Sequence, residues 1–321
     1  MKRFSFVTAA LVASLLMVVI GCSKDSTPTS TSQPTAEELA IQTMLEASEY
    51  ALPMDFHSDE QYEGDGVLAV QSEGYEEGDG VEVIPWVRFV RVMRVTPRVE
   101  YTITIPGSGG ENTANVRIIH HLRGNFIVDN TRDGIINPFT RPFSSAAIVR
   151  LLLTKIDDAW RVTKVSPTDV LSTNGGGTTI RIAWVRARSS SGITPDFELL
   201  SPDTLLALNQ LPAVAPGDTI RIAARALNAS EAGSWLFLHV HCGGRHGEVY
   251  HWRVPFLRDE SDPTMFYMRW IAPPGAELPR VFHLAVDAID WHTLFGGEAA
   301  IYNSRMWTFP CIVGVPLTAE N

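Results

Sequence analysis

The chain has 321 residues, a formal net charge of −10, 45% hydrophobic residues and 19% charged residues. That length and apolar share suit two ordinary domains with real cores, and the acidic balance argues against a general nucleic-acid binder, which needs a basic face. The acidity is local: from Ala36 to Glu82 there are 14 acidic residues and no Lys or Arg.

The chain opens with basic Lys2 and Arg3, an apolar run from Phe4 to Ile20, and then Val19-Ile20-Gly21-Cys22. A basic start, a short apolar core and a small residue before a cut are marks of export. The run is a little short for a stable membrane span, which needs about 20 residues; an uncleaved N-terminal helical anchor is the alternative. The pattern resembles the signal peptide and lipobox of bacterial lipoproteins. That resemblance implies cleavage after residue 21, a thioether-linked diacylglycerol on Cys22 and an acylated amine. Two or more acyl chains hold a protein stably on a membrane. The same resemblance, with Ser23 rather than Asp after the cysteine, implies the outer membrane of the cell envelope. Residues 22–35 are rich in Ser, Thr and Pro and read as a flexible spacer.

The expected first domain, 36–171, is α+β, a helix with an antiparallel sheet. Thr35 is a predicted N-cap and Glu38 completes a capping box; the helix stops by Leu52, before Pro53. A Gly- and acid-rich region follows, where Tyr62 to Val67 is echoed by Tyr75 to Val81. Strands are then expected over Val87 to Val95, Val99 to Ile105, Val116 to Leu122 and Asn125 to Val128. Ala146 to Ile156 and Trp160 to Val165 read as a hairpin around Asp157-Asp158-Ala159. The closing run LLLTKIDDAWRVTKVSP after a helix and a long sheet resembles the nuclear-transport-factor-like superfamily; a cystatin-like sheet wrapped on one helix fits nearly as well. The first resemblance implies a cone with an isomerase-like pocket.

Residues 172–177 are Gly-rich and read as a linker. From 178 to 315 the chain reads as all β, with strands at Thr179 to Arg188, Thr219 to Ala226, Trp235 to Cys242, Glu248 to Phe256, Met265 to Ile271, Arg280 to Ile289 and Arg305 to Cys311; residues 316–321 form a tail. Seven strands at this spacing suggest an immunoglobulin-like β-sandwich, and APGDTIRIAARA resembles the second strand of bacterial immunoglobulin-like modules. With Cys22 lipidated, Cys242 and Cys311 remain, and an oxidising compartment favours a disulfide between them. Two buried free thiols are the alternative. Strands separated by one neighbour lie about 9–10 Å apart, too far for direct bridging, so bending after each strand would have to close the gap.

Six of the nine histidines follow Gly177. Strand alternation puts Trp235, Phe237, His239 and His241 on one side of their strand, and His283 and Asp287 away from the core side of theirs. If the two strands are neighbours, these six residues share an outer face. Three chemistries suit that set: packing against the first domain or a partner, a glycan or peptide platform built on the aromatics, and a metal site of imidazoles with a carboxylate. Other candidates are weaker. Asp65 and Asp79 sit in Gly-rich turns beside Glu63, Glu76 and Glu77, and Asp129 to Gly134 begins somewhat like a calcium loop, but Arg132 intrudes and Thr140 stands where Glu is needed. Asp55 and His57 are an isolated acid–base pair. His120-His121 places one ring on each side of a strand. No nucleophile elbow, zinc-protease motif or phosphate loop is present.

The expected function is therefore a lipid-anchored envelope protein with a non-catalytic binding or structural role. It implies no cofactor; its partners are the membrane, through Cys22, and a protein or glycan. An envelope hydrolase or isomerase-like enzyme in the first domain, or a metal module on the His-rich face, are the alternatives.

Overall fold

The computed structural model describes residues 34–48, 50–51, 81–82, 84–106, 112–131, 133–135, 137–189, 196–243, 249–274 and 280–314. Cys22, its spacer, Asp55, His57 and the acidic turns around Asp65 and Asp79 lie outside these residues.

Helix α1 (Ala36–Glu46) begins where Thr35 accepts from the Glu38 amide and the Glu38 side chain accepts from the Thr35 amide, a complete capping box. Its buried side chains are Ile41 and Leu45. The strands are β1 (Val81–Glu82), β2 (Arg88–Met93), β3 (Arg98–Thr104), β4 (Thr113–Asp129), β5 (Phe139–Ile156), β6 (Ala159–Val165), β7 (Thr168–Ser172), β8 (Ile180–Ser189), β9 (Phe197–Leu199), β10 (Leu206–Ala207), β11 (Ala213–Val214), β12 (Thr219–Asn228), β13 (Ser234–Gly243), β14 (Val249–Pro255), β15 (Leu257–Asp259), β16 (Met265–Ile271), β17 (Arg280–Asp290) and β18 (Ser304–Val313). A short helix α2 (Trp291–Phe295) joins β17 to β18.

The expectation of an α+β domain followed by an immunoglobulin-like sandwich is corrected. The described residues are 59% strand and 10% helix, and among them α1 is the sole helix of seven residues or more, so one helix on the sheet does not make an α+β layer. Twelve strands form a single curled sheet, whose main path runs β10-β6-β5-β7-β18-β17-β13-β14, with β4 beside β5, and β2 and β3 beside β4. The six-stranded sheet β1-β15-β16-β12-β8-β9 packs against it. The Gly-rich stretch 172–177 does not interrupt the larger sheet, because β7 pairs with both β5 and β18. β4 and β5 explain this reach. They are 17 and 18 residues long, roughly 55–60 Å at a strand's rise, and so they serve two cores.

β4 also differs from its sequence reading, in which Arg123-Gly124 divides two strands. The strand continues through Gly124, where a Cβ would stand 2.1 Å from the Val92 carbonyl oxygen. Gly124 is thus a point of close approach between β2 and β4. The β5–β6 turn carries Asp157 and Asp158, both at positive φ (50° and 61°), the backbone a two-residue hairpin requires.

The larger core fills the curl and the space between the sheets, with Phe126, Trp235, Phe266, Trp270, Phe282 and Trp307 among its members. The smaller joins Ile41 and Leu45 to Val116, Ile118, Val149, Leu151 and Ile312. Burying each such aliphatic side chain stabilises by about 1.5–3 kcal/mol. No disulfide links Cys242 to Cys311. Cys311 is a free buried thiol, and β17 lies between β13 and β18, which leaves the two backbones two strand spacings apart. The Cys242 side chain is outside the described residues.

Candidate functional site

The His- and Trp-bearing strands β13 and β17 are antiparallel neighbours, with Phe237 opposite Asp287, His239 opposite Ala285 and His241 opposite His283. Directly opposed residues share a face, so Phe237, His239, His241, His283 and Asp287 stand together. On that face Phe237, His239, His241 and Asp287 are buried and His283 is half-buried. The face is the concave side of the curl, and β2 lies across it.

At the centre, Arg91 donates from Nη2 to Asp287 Oδ2 at 2.7 Å, and His239 Nε2 lies 3.1 Å from the same oxygen. Arg91 Nε donates to the Tyr302 hydroxyl at 2.8 Å, and that hydroxyl lies 2.6 Å from Ser304 Oγ. The side chains of Arg91, His239 and Asp287 are 0% exposed. Burial by itself would raise the Asp287 carboxyl pKa, but the Arg91 charge and the His239 hydrogen bond outweigh it and hold the carboxyl below the usual carboxylate range. Burial pushes the Tyr302 phenol up, against the opposing pull of Arg91.

Aromatic rings enclose this charge. Phe89 meets Phe237 edge-on at 4.9 Å and Phe126 meets Tyr302 at 5.2 Å. Arg253 of β14 stacks 3.8 Å over the Phe89 ring and donates to the Phe89 carbonyl at 2.7 Å. This contact brings β14 to β2 and closes the curl. A second buried guanidinium, Arg141 of β5, donates to the carbonyls of His292 and Thr293 at 2.7 and 2.6 Å and to Gly297 at 2.9 Å. It satisfies the C-terminal carbonyls of α2, the end at which a cation is favourable.

Trp235 stands apart from the ion-pair group. It is buried, donates from its indole to the Phe256 carbonyl at 2.9 Å, and packs on Phe266 at 6.2 Å and under Arg258 at 4.5 Å. His120 points inward and is buried, and His121 points outward, 3.2 Å from the Glu100 carboxylate. Asp129 and Asp133 serve local turns, accepting from Thr131 and from the Ile135 amide. Among the described residues no group of three or more His, Cys, Asp or Glu is placed to hold a metal ion.

Sequence reasoning missed Arg91, Arg141, Arg253 and Tyr302. The available signal for Arg91 was weak: Arg88, Arg91 and Arg94 recur at every third position, which cannot all face one side of a strand.

No protein-family model matches this chain, and no curated protein sequence is significantly similar to it.

Proposed function

We propose that this is a lipid-anchored protein of the cell envelope, held at the outer membrane through Cys22, with a non-catalytic binding or structural role. The observation that carries the non-catalytic part is the burial of His239, Asp287 and Arg91, none of which is exposed. A general base must be free to take a substrate proton, and the Asp287 oxygen facing His239 is already shared with Arg91. These groups instead join β2 to β13 and β17 from within the sheet. The export pattern and Cys22 support the anchor, and the polar spacer supports a folded body displaced from the lipid.

The test is labelling with a fatty-acid analogue in a diderm host. The full chain should carry label and sediment with the outer membrane, and the Cys22→Ala variant should carry none. An unlabelled wild-type chain would overturn the anchor. Hydrolysis of ester or glycoside probes that disappears in a folded His239→Gln variant would overturn the non-catalytic role.

A further inference from the structure

The concave face of the curled sheet carries polar groups beyond the Arg91–Asp287 pair. His120 is opposite Ala147, Ala147 opposite Val170, Val170 opposite Met306 and Met306 opposite Asp287. His120 and Asp287 therefore share one face across β5, β7 and β18. Ser145 lies on that face opposite Leu122 and Ser172, a diagonal neighbour of His120. Thr308 lies on it opposite Thr168 and Ala285. Relative exposure is 5% for His120, 3% for Ser145, 2% for Thr308 and 0% for Asp287. Among the described residues, His120 Nδ1 and Nε2, Ser145 Oγ, Thr308 Oγ1 and Asp287 Oδ1 have no hydrogen-bond partner.

Their location is specific. On β4, His120 falls between Ile118 of the smaller core and Leu122 of the larger; on β18, Thr308 falls between Met306 of the larger core and Ile312 of the smaller. The unpartnered atoms thus line a seam where two apolar clusters meet. Buried polar atoms in native proteins are almost always satisfied, by protein or by a bound molecule.

We propose that this seam is an internal binding site for a small, uncharged ligand bearing hydroxyl groups. The chemistry of the lining sets the class. Burial, aided by the His121 charge, lowers the His120 pKa to about 4, so near neutrality its ring offers one donor and one acceptor. The Ser145 and Thr308 hydroxyls each donate and accept, and Asp287 Oδ1 only accepts. A hydroxyl complements each of them, and they stand as two neighbouring pairs, His120 with Ser145 and Thr308 with Asp287. An anion would meet the Asp287 carboxylate. A cation would enter a site whose carboxylate is already matched by Arg91, and would stay uncompensated in a dry interior. The ligand is small because a sheet curled through eight strands encloses little more than its own side chains or one small molecule, and Phe89, Phe126, Phe143 and Met306 occupy much of this interior. Hydroxyl chemistry has two sources, ordered water and a polyol or short sugar.

The test uses the full chain in detergent. Thr308→Val keeps the shape and removes the hydroxyl, and Thr308→Ser keeps the hydroxyl and removes a methyl; Ser145→Ala is the second site. Thr308→Val and Ser145→Ala should each lower Tm by about 2–4 °C, the effect of losing one hydrogen bond in a domain of this size, and Thr308→Val should cost more than Thr308→Ser. An unchanged or raised Tm in Thr308→Val and Ser145→Ala, or a larger loss in Thr308→Ser, overturns the proposal. Native mass spectrometry separates the sources. A bound organic mass that is lost in the Ser145→Ala, Thr308→Val double variant assigns a polyol, and the bare protein mass together with the Tm losses assigns water.

Discussion

Arg91 of β2 and Asp287 of β17 are 196 residues apart in the chain and 2.7 Å apart in space, with neither side chain exposed. Two charges in a dry interior gain little over a well-packed apolar pair, but each is costly without the other. The pair therefore specifies how the curl closes more than it adds net stability.

Removing one partner should show this asymmetry. Arg91→Met or Asp287→Leu alone is expected to cost about 3–5 kcal/mol, because each leaves an uncompensated buried charge, and the double variant should recover most of that loss. Urea unfolding midpoints measure all three. Additive losses in the double variant would refute the coupling.

Stability should fall as the solution is acidified through the range set by His120. Its folded pKa is lowered to about 4 from an ordinary value of 6.5. The unfolded chain takes up the proton first as pH drops, so the stability present above pH 6.5 is lost between there and about pH 4. A shift of that size corresponds to roughly 3 kcal/mol. His120→Gln should lose less stability than wild type between pH 7.5 and 4.5. Equal slopes would be evidence against a neutral, buried His120. Asp287 acts at lower pH: its depressed carboxyl contributes above the ordinary carboxylate range, and that contribution is lost as pH falls through its folded value.

Cys311 should be inert in the folded protein. Burial pushes its thiol up to about 12, and thiolate is the reactive form. At pH 8 an alkylating reagent should modify it only after denaturation, as seen by peptide mass spectrometry. Modification of the native chain at the rate of a free thiol would contradict its placement.

Arg141 should hold α2 in place. Arg141→Ala removes the guanidinium from the carbonyls of His292, Thr293 and Gly297, of which His292 and Gly297 keep a backbone donor, and is expected to cost about 2–4 kcal/mol. Arg141→Lys should recover only part, since an ammonium lacks the planar fork. Hydrogen exchange across Trp291–Phe295 should rise in both. Unaltered exchange would show that the helix end is held by other contacts.

Much of the local structure was readable. Thr35 and Glu38 announce their helix because capping is a matter of three-residue spacing. Asp157-Asp158 announces its turn because few residue pairs suit positive φ between two apolar runs. Period-two alternation was enough to put His239 and His241 on one side of their strand and His283 and Asp287 on one side of theirs, and the pairing of β13 with β17 brings the two sets together. What lay over them was not readable. Which of Arg88, Arg91 and Arg94 points inward depends on the pairing of β2 with β4, where Arg91 meets Phe126. Gly124 misled for a related reason. Its local meaning is a break, and its actual one is the nearness of the Val92 carbonyl. The reading of an α+β domain followed by a sandwich failed because one large sheet draws strands from both sides of the Gly-rich stretch, through the pairing of β7 with β18.

The position of β18 has a consequence for how the chain comes to its native state. The last described strand lies in the middle of the large sheet, hydrogen-bonded to β17 on one side and β7 on the other. Until Ser304–Val313 has been synthesised, the strands before it keep two facing edges with no strand between them. Their union then depends on contacts of very long sequence separation, the kind that slows folding. A chain made from its N-terminus is thereby kept from locking prematurely, before its central strand is present.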